Sequence, residues 1–185
     1  MTNADIFLCG IKHSGKSTIG ALVAKKLRLP WFDADDLILT TLPSDMSVRM
    51  FYRIHGKKAF QEKETKALHA LLTGQEGRMV VSLGGGACDN KSVMRMANQN
   101  GITIYLRLPE EALFGRIVKD GIPPFLEGED PKEMFHALYL QRDVSYGKQC
   151  ALVVELSDCQ TAVANADLVL GRLEGVCIGA QHIRS

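Results

Sequence analysis

The chain lacks an excess of charge of either sign: 22 Lys and Arg face 21 Asp and Glu, a formal net charge of +1. Dedicated nucleic-acid binders carry a basic surplus, so no nucleic acid is expected as a partner, although a neutral total leaves room for a local cationic pocket. Proline is scarce (6 residues), and 46% of the chain is apolar, which excludes disordered and collagen-like chains. The five cysteines, Cys9, Cys88, Cys150, Cys159 and Cys177, are scattered, with no CxxC and no His/Cys cluster at metal spacing. Neither a zinc site nor a disulfide framework is expected. No apolar run is long enough to span a bilayer, and the opening Met-Thr-Asn-Ala-Asp has no basic region of a signal peptide. There is no internal repeat and no low-complexity tract. The expected setting is soluble, reducing and cytoplasmic, and 185 residues make one domain.

What the chain does have is a series of short, continuously apolar runs separated by helical stretches. Ile6–Cys9, Met79–Leu83, Ile102–Leu106 and Leu152–Leu156 read as strands buried on both faces, and Trp31-Phe32 begins a short one. Ile19, Leu22, Val23 and Leu27 form one helical stripe ending before Pro30, and 47–72 is helical with a break near Gly56. Helices are also expected over 109–119 and 162–170. This alternation predicts an α/β fold with a parallel sheet. Residues 119–131 are turn-rich and charged, as in a loop or mobile lid, and the tail 174–185 has no clear period and is expected to fray.

Gly10-Ile11-Lys12-His13-Ser14-Gly15-Lys16-Ser17 matches the P-loop pattern GxxxxGK[ST], preceded by a strand and followed by an amphipathic helix. In such a loop the glycines let backbone N–H groups and the helix N-terminus point at phosphate oxygens. Lys16 then supplies a charge to the β- and γ-phosphates, and Ser17 can ligate Mg²⁺. The expected nucleotide contacts are Lys12, His13, Ser14, Gly15, Lys16, Ser17 and Thr18, with His13 a bystander because the loop works through its backbone.

Asp33 and Asp35 follow the second strand, where a doubly wound sheet presents its ligand-facing end. Two apart on an extended segment, their carboxylates share one side: one can hold Mg²⁺ and the other can bind and polarise an acceptor hydroxyl. The alternative is that one of them caps the following helix. Gly84-Gly85-Gly86 ends the third strand, where three glycines permit close approach of a ligand or another backbone, a loose turn being the alternative.

Taken together, the P-loop, Phe32-Asp33-Ala34-Asp35, Gly56-Lys57-Lys58-Ala59-Phe60-Gln61-Glu62-Lys63-Glu64 and Ser82-Leu83-Gly84-Gly85-Gly86-Ala87 resemble the shikimate kinase family in order and separation, from about Ile6 to Val154. The resemblance implies a P-loop α/β/α fold with a five-stranded parallel sheet, a helical acceptor-binding subdomain (33–64) and a closing lid (119–131). It implies ATP and Mg²⁺ as cofactors, Lys16 and Ser17 serving them with Asp33 assisting the metal. It further implies that Asp35 binds the acceptor hydroxyl and acts as its base, that Gly84, Gly85 and Gly86 meet the acceptor, and that Arg116 matches the family arginine that stacks on adenine.

The chain departs from the family pattern where anions are handled. Gln61 stands for the arginine after the family's Phe, Pro123 for the lid arginine, and Lys148 for the arginine that follows the segment beginning at Arg142. His13 stands for a P-loop glycine. Gln61 and Lys148 are therefore the expected acceptor contacts in place of guanidinium forks, and Lys12, Lys119 and Lys148 are candidate replacement cations for the lid. The function implied is phosphoryl transfer from ATP to an acceptor hydroxyl, with shikimate or a similar hydroxy acid as acceptor. The alternatives are a kinase for another sugar acid or polyol, and a nucleotide-binding module with little or no kinase activity.

Overall fold

The computed structural model describes residues 4–121, 126, 128 and 130–182. Pro123, with residues 122, 124, 125, 127 and 129 of the expected lid and 183–185 of the tail, lies outside the described residues. Five strands form one sheet: β1 (Asp5–Cys9), β2 (Trp31–Asp33), β3 (Val80–Ser82), β4 (Gly101–Arg107) and β5 (Leu152–Glu155). Their order is β2-β3-β1-β4-β5 and every pairing is parallel. Successive residues of a strand face opposite sides of a sheet, and Ile6, Phe7, Leu8 and Cys9 are all buried, so both faces are covered.

Among the described residues seven helices do the covering: α1 (Lys16–Leu27), α2 (Ala34–Leu39), α3 (Val48–Gly74), α4 (Lys91–Asn100), α5 (Glu110–Asp120), α6 (Pro131–Gln149) and α7 (Ala162–His182). Three of them, α2, α4 and α6, go beyond the expected alternation. In α4, Asn90 is the cap, its side chain accepting from Val93 N–H, and in α6 Asp130 caps ahead of Pro131 in the first turn. The closing helix runs past Leu170 to His182: no proline interrupts the segment, and Leu173 still packs into the core. The break in α3 falls at Gly56, whose φ of 77° and ψ of 179° are non-helical.

Helix α6 is pinned to the sheet by polar and aromatic contacts. Arg107 grips Asp143 through both carboxylate oxygens, at 2.6 and 2.5 Å, and Tyr105 Oη donates to the same carboxylate at 2.8 Å. The Tyr105 and Tyr146 rings stack at 5.1 Å. Arg107 beside it holds the Asp143 carboxyl below the usual range. The helix orientation that follows decides which of its residues reach the functional end of the sheet.

Gly101 opens β4 opposite Asp5, and a methyl group there would lie 2.3 Å from the Asp5 carbonyl oxygen. Backbone cannot yield as a side-chain tip can, so Gly101→Ala is expected to destabilise the fold by about 1–3 kcal/mol. The check is urea unfolding, with a lower midpoint at unchanged slope.

Candidate active site

The loop between β1 and α1 closes through left-handed residues: Gly15 at φ 88° caps α1 and His13 takes φ 67°. That conformation is uncommon for a side-chain-bearing residue, and histidine is among those that enter it more readily. His13 is fixed there because Arg116 Nη1 donates to its carbonyl at 2.9 Å. Its Nε2 stands 3.5 Å from Asp120 Oδ2. Burial, then Lys12, holds the His13 pKa below its ordinary value against the opposing pull of Asp120.

A cavity of about 650 Å³ opens over this loop, lined by Lys12, His13, Gly15, Lys16, Ser17 and Thr18, with Asp33, Arg116 and Lys119 around it. Lys16 is buried, and its Nζ donates to the Ile11 carbonyl at 3.1 Å. Burial lowers its pKa to about 8, with Asp35 and Asp33 opposing the shift. Ser14 is the expected loop contact that does not line this cavity. Its side chain is buried under Gly10, and its N–H donates back to the Ile11 carbonyl at 3.1 Å. Arg116 is held at the rim by its bond to His13 and an ion pair with Asp158.

Asp33 ends β2 and Asp35 lies in the first turn of α2, so the two carboxylates reach the site from a strand end and a helix start rather than from one extended segment. Both line the same cavity. Asp33 makes the helix cap that the sequence left as one alternative, and it also meets Ser17. Its Oδ1 accepts from Asp35 N–H at 3.0 Å, capping α2, while its Oδ2 accepts from Ser17 Oγ at 2.5 Å. That pair of hard oxygen donors beside a helix N-terminus fits the needs of Mg²⁺, which takes one or two protein oxygens together with phosphate and water. Burial and Asp33 push the Asp35 pKa up, with Lys16 and Lys12 pulling the other way.

A second cavity, of about 360 Å³, lies between α3, the glycine triplet and α6, and shares Lys12, Asp35 and Gly85 with the first. From α3 come Lys57, Phe60, Gln61 and Glu64, spaced i, i+3, i+4, i+7 and hence on one helical face. The Gly56 kink lets Arg49 and Tyr52, before it, line the same space. The glycines matter through the room they leave. A methyl at Gly84 would lie 2.7 Å from Glu64 Oε1, at Gly85 2.8 Å from Lys12 N, and at Gly86 3.0 Å from Arg142 Nη2.

Of the expected acceptor contacts, Gln61, Asp35 and the three glycines are brought together here, and Lys148 is not. Lys148 is exposed near the end of α6 and lines neither cavity. Arg142 and Tyr146, one turn apart, face inward, and Lys148 comes six residues after Arg142, about 240° round the helix. Arg142 instead lines the cavity, donating to the Gly85 carbonyl at 3.2 Å and to Asp89 Oδ2 at 3.1 Å, and Tyr146 Oη donates to the Gly85 carbonyl at 3.2 Å. Arg49, Lys57, Glu64, Asp89 and Arg142 thus line this cavity beyond the expected set. For the α3 members the signal was the helical spacing itself; for Arg142 it was Asp130-Pro131, which starts α6. Of the candidate lid cations, Lys12 and Lys119 line the first cavity.

Shikimate kinase is the family that matches this chain, over residues 12–173. The shikimate kinase of Burkholderia thailandensis is 30% identical over 183 residues, covering 99% of this chain and 97% of that protein. Among solved structures, shikimate kinase from Acinetobacter baumannii in complex with shikimate has a TM-score of 0.83 at 26% identity, covering 94% of each chain. A gluconokinase from Sinorhizobium meliloti reaches a TM-score of 0.60 at 17% identity, covering 96% of this chain and 97% of that one, a likeness of fold alone.

Glu64 gives the acceptor cavity a pH-dependent stability. It is buried, accepts from Asn90 Nδ2 at 3.2 Å, and is pushed up to about 7 by burial, with Asp35 adding to the shift against the Asn90 bond. A carboxyl whose folded pKa lies above its ordinary 4.5 contributes stability that is full below that value and lost as pH rises through about 7. Glu64→Gln is therefore expected to raise the melting temperature at pH 8 by about 3 °C or more, with a flatter dependence between pH 5 and 8, read by thermal melts.

Proposed function

The chain belongs to the shikimate kinase family, and from that membership we propose that it transfers the γ-phosphoryl group of ATP to a hydroxyl of shikimate in the space where its two cavities meet. The observation that carries this reading is the shared wall: Lys12, Asp35 and Gly85 belong to both cavities, so a nucleotide on one side and an acceptor on the other face the same carboxylate. ATP and Mg²⁺ are its cofactors. Ser17, with Asp33 assisting, would hold Mg²⁺, which would supply charge neutralisation on the phosphates.

The chain's own residues do the rest by position and charge. Asp35, on the wall common to both cavities, is in reach of an acceptor hydroxyl that faces the nucleotide. As the bond from that oxygen to phosphorus forms and the bond from phosphorus to the ADP oxygen breaks, the hydroxyl proton passes to the Asp35 carboxylate. The upward shift of Asp35 makes it a better proton acceptor than an exposed aspartate. Lys16, with Lys12 and Lys119 on the same cavity, stabilises charge on the phosphoryl group in transit. Arg116, anchored on the loop at His13, is placed at the rim for the base. On the acceptor side Arg142 and Arg49 supply guanidinium groups that Gln61 does not, which supports a working kinase over a mere nucleotide-binding module. Free thiols at Cys9, Cys88, Cys150 and Cys159 support a reducing, cytoplasmic setting. No helix among the described residues is long and apolar enough to cross a membrane.

A coupled ADP-release assay with shikimate, gluconate and nucleoside monophosphates tests the reading. ADP release that depends on shikimate is the expected result, and none with millimolar shikimate overturns it. Asp35→Asn is expected to lower kcat by about 10²-fold or more while ATP still binds. Lys16→Ala is expected to abolish transfer and weaken ATP binding with an unchanged circular dichroism spectrum.

A further inference from the structure

On the part of the acceptor cavity that it does not share with the other cavity, two cations from different elements converge on one oxygen. Lys57 Nζ, from α3, is 3.2 Å from Asp89 Oδ2, and Arg142 Nη2, from α6, is 3.1 Å from the same atom. Asp89 ends the short 3₁₀ turn that follows the glycine triplet, and all three residues line the cavity. A carboxylate oxygen thus already sits where both cations reach it, which shows that one anionic group can be held by both at once. Gln61 is not available for that task in the same way. Its Nε2 donates to the Asp89 main-chain carbonyl at 2.9 Å, and its own carbonyl accepts from Asn90 Nδ2 at 2.9 Å, tying that turn of α3 to the turn after β3.

The two cations differ in freedom. Arg142 is 11% exposed and braced on the Gly85 carbonyl, whereas the Lys57 side chain is 57% exposed and carried on a flexible four-carbon stem. An entering carboxylate therefore meets one fixed guanidinium and one cation able to swing onto it. Asp89 carries one negative charge against their two positive ones, so the cluster keeps a net positive charge that draws an entering carboxylate and offers a neutral acceptor no such attraction.

We propose that Lys57 is a specificity-determining residue for the acceptor, forming with Arg142 a two-cation clamp that takes the acceptor's carboxylate. The inference rests on the reading of the chain as a kinase of the hydroxy acid shikimate, and adds which side chain of this chain makes the acid group count. Steady-state kinetics with saturating ATP, using shikimate and its neutral methyl ester, test it on wild type, Lys57→Ala and Lys57→Arg. Lys57→Ala is expected to raise KM for shikimate about tenfold, with a smaller change in kcat and KM for ATP unaltered. The ester's KM is expected to stay within about twofold, and Lys57→Arg to restore most of the affinity for the acid. If wild type phosphorylates shikimate yet Lys57→Ala leaves its KM within about twofold, or raises acid and ester alike, the clamp is overturned while the kinase reading stands. If wild type binds ATP but phosphorylates neither acceptor, the kinase reading fails and the clamp with it.

Discussion

The site depends on the closeness with which the loop after β3 lies against the loop after β1. Gly85 packs on the Lys12 backbone so tightly that a methyl group would come within 2.8 Å of its nitrogen. That contact sets the nucleotide loop and the acceptor cavity wall to wall, so that Lys12, Asp35 and Gly85 face both. The carbonyl of Gly85 then accepts from Arg142 and from Tyr146, which locks α6 onto the same point. Strand pairing makes the contact possible, because β1 and β3 are parallel neighbours and their C-terminal ends lie at the same end of the sheet. Phosphoryl transfer needs two reactants in register, and here register is a property of backbone packing before any side chain is considered.

Charge is distributed around that junction with opposite purposes on its two sides. Lys16 is buried among a carbonyl, Asp33 and Asp35, and its pKa falls to about 8, so an arriving polyphosphate relieves the burial of an ammonium group. On the acceptor side Glu64 and Asp35 are both pushed up by burial, and each stands close to a cation-bearing element. Asp89 goes the other way: burial raises its pKa, but Arg142 and Lys57 together outweigh that and hold it ionised. Carboxyl groups of three different characters thus share one small cavity, and their differences follow from the partners each is given.

Much of this was legible in the residues. The apolar run Ile6–Cys9 and the eight residues after it specify a buried strand, a phosphate loop and the start of a helix, since the glycine spacing and the strand before it are local features. The break at Gly56 was visible because glycine interrupts a helical pattern, and its φ of 77° bears that out. Asp33 and Asp35 were found through the wrong local geometry: no period distinguishes a three-residue strand running on from one that turns at once into α2. Lys148 and Arg142 differ for a similar reason. Motif position says only which residue stands where, whereas the Arg107–Asp143 clamp and the Tyr105–Tyr146 stack decide which face of α6 turns inward. Those contacts join residues about 40 positions apart and leave no local trace in the sequence.

The central claim is that one carboxylate and one glycine wall serve two ligands at once, and a crystal structure with a non-hydrolysable ATP analogue and shikimate bound together measures it directly. The account predicts the acceptor hydroxyl within hydrogen-bond reach of Asp35 and about 3–3.5 Å from the γ-phosphorus, the acceptor resting against Gly84, Gly85 and Gly86. An acceptor seated outside that cavity, or a γ-phosphate turned away from Asp35, would contradict it.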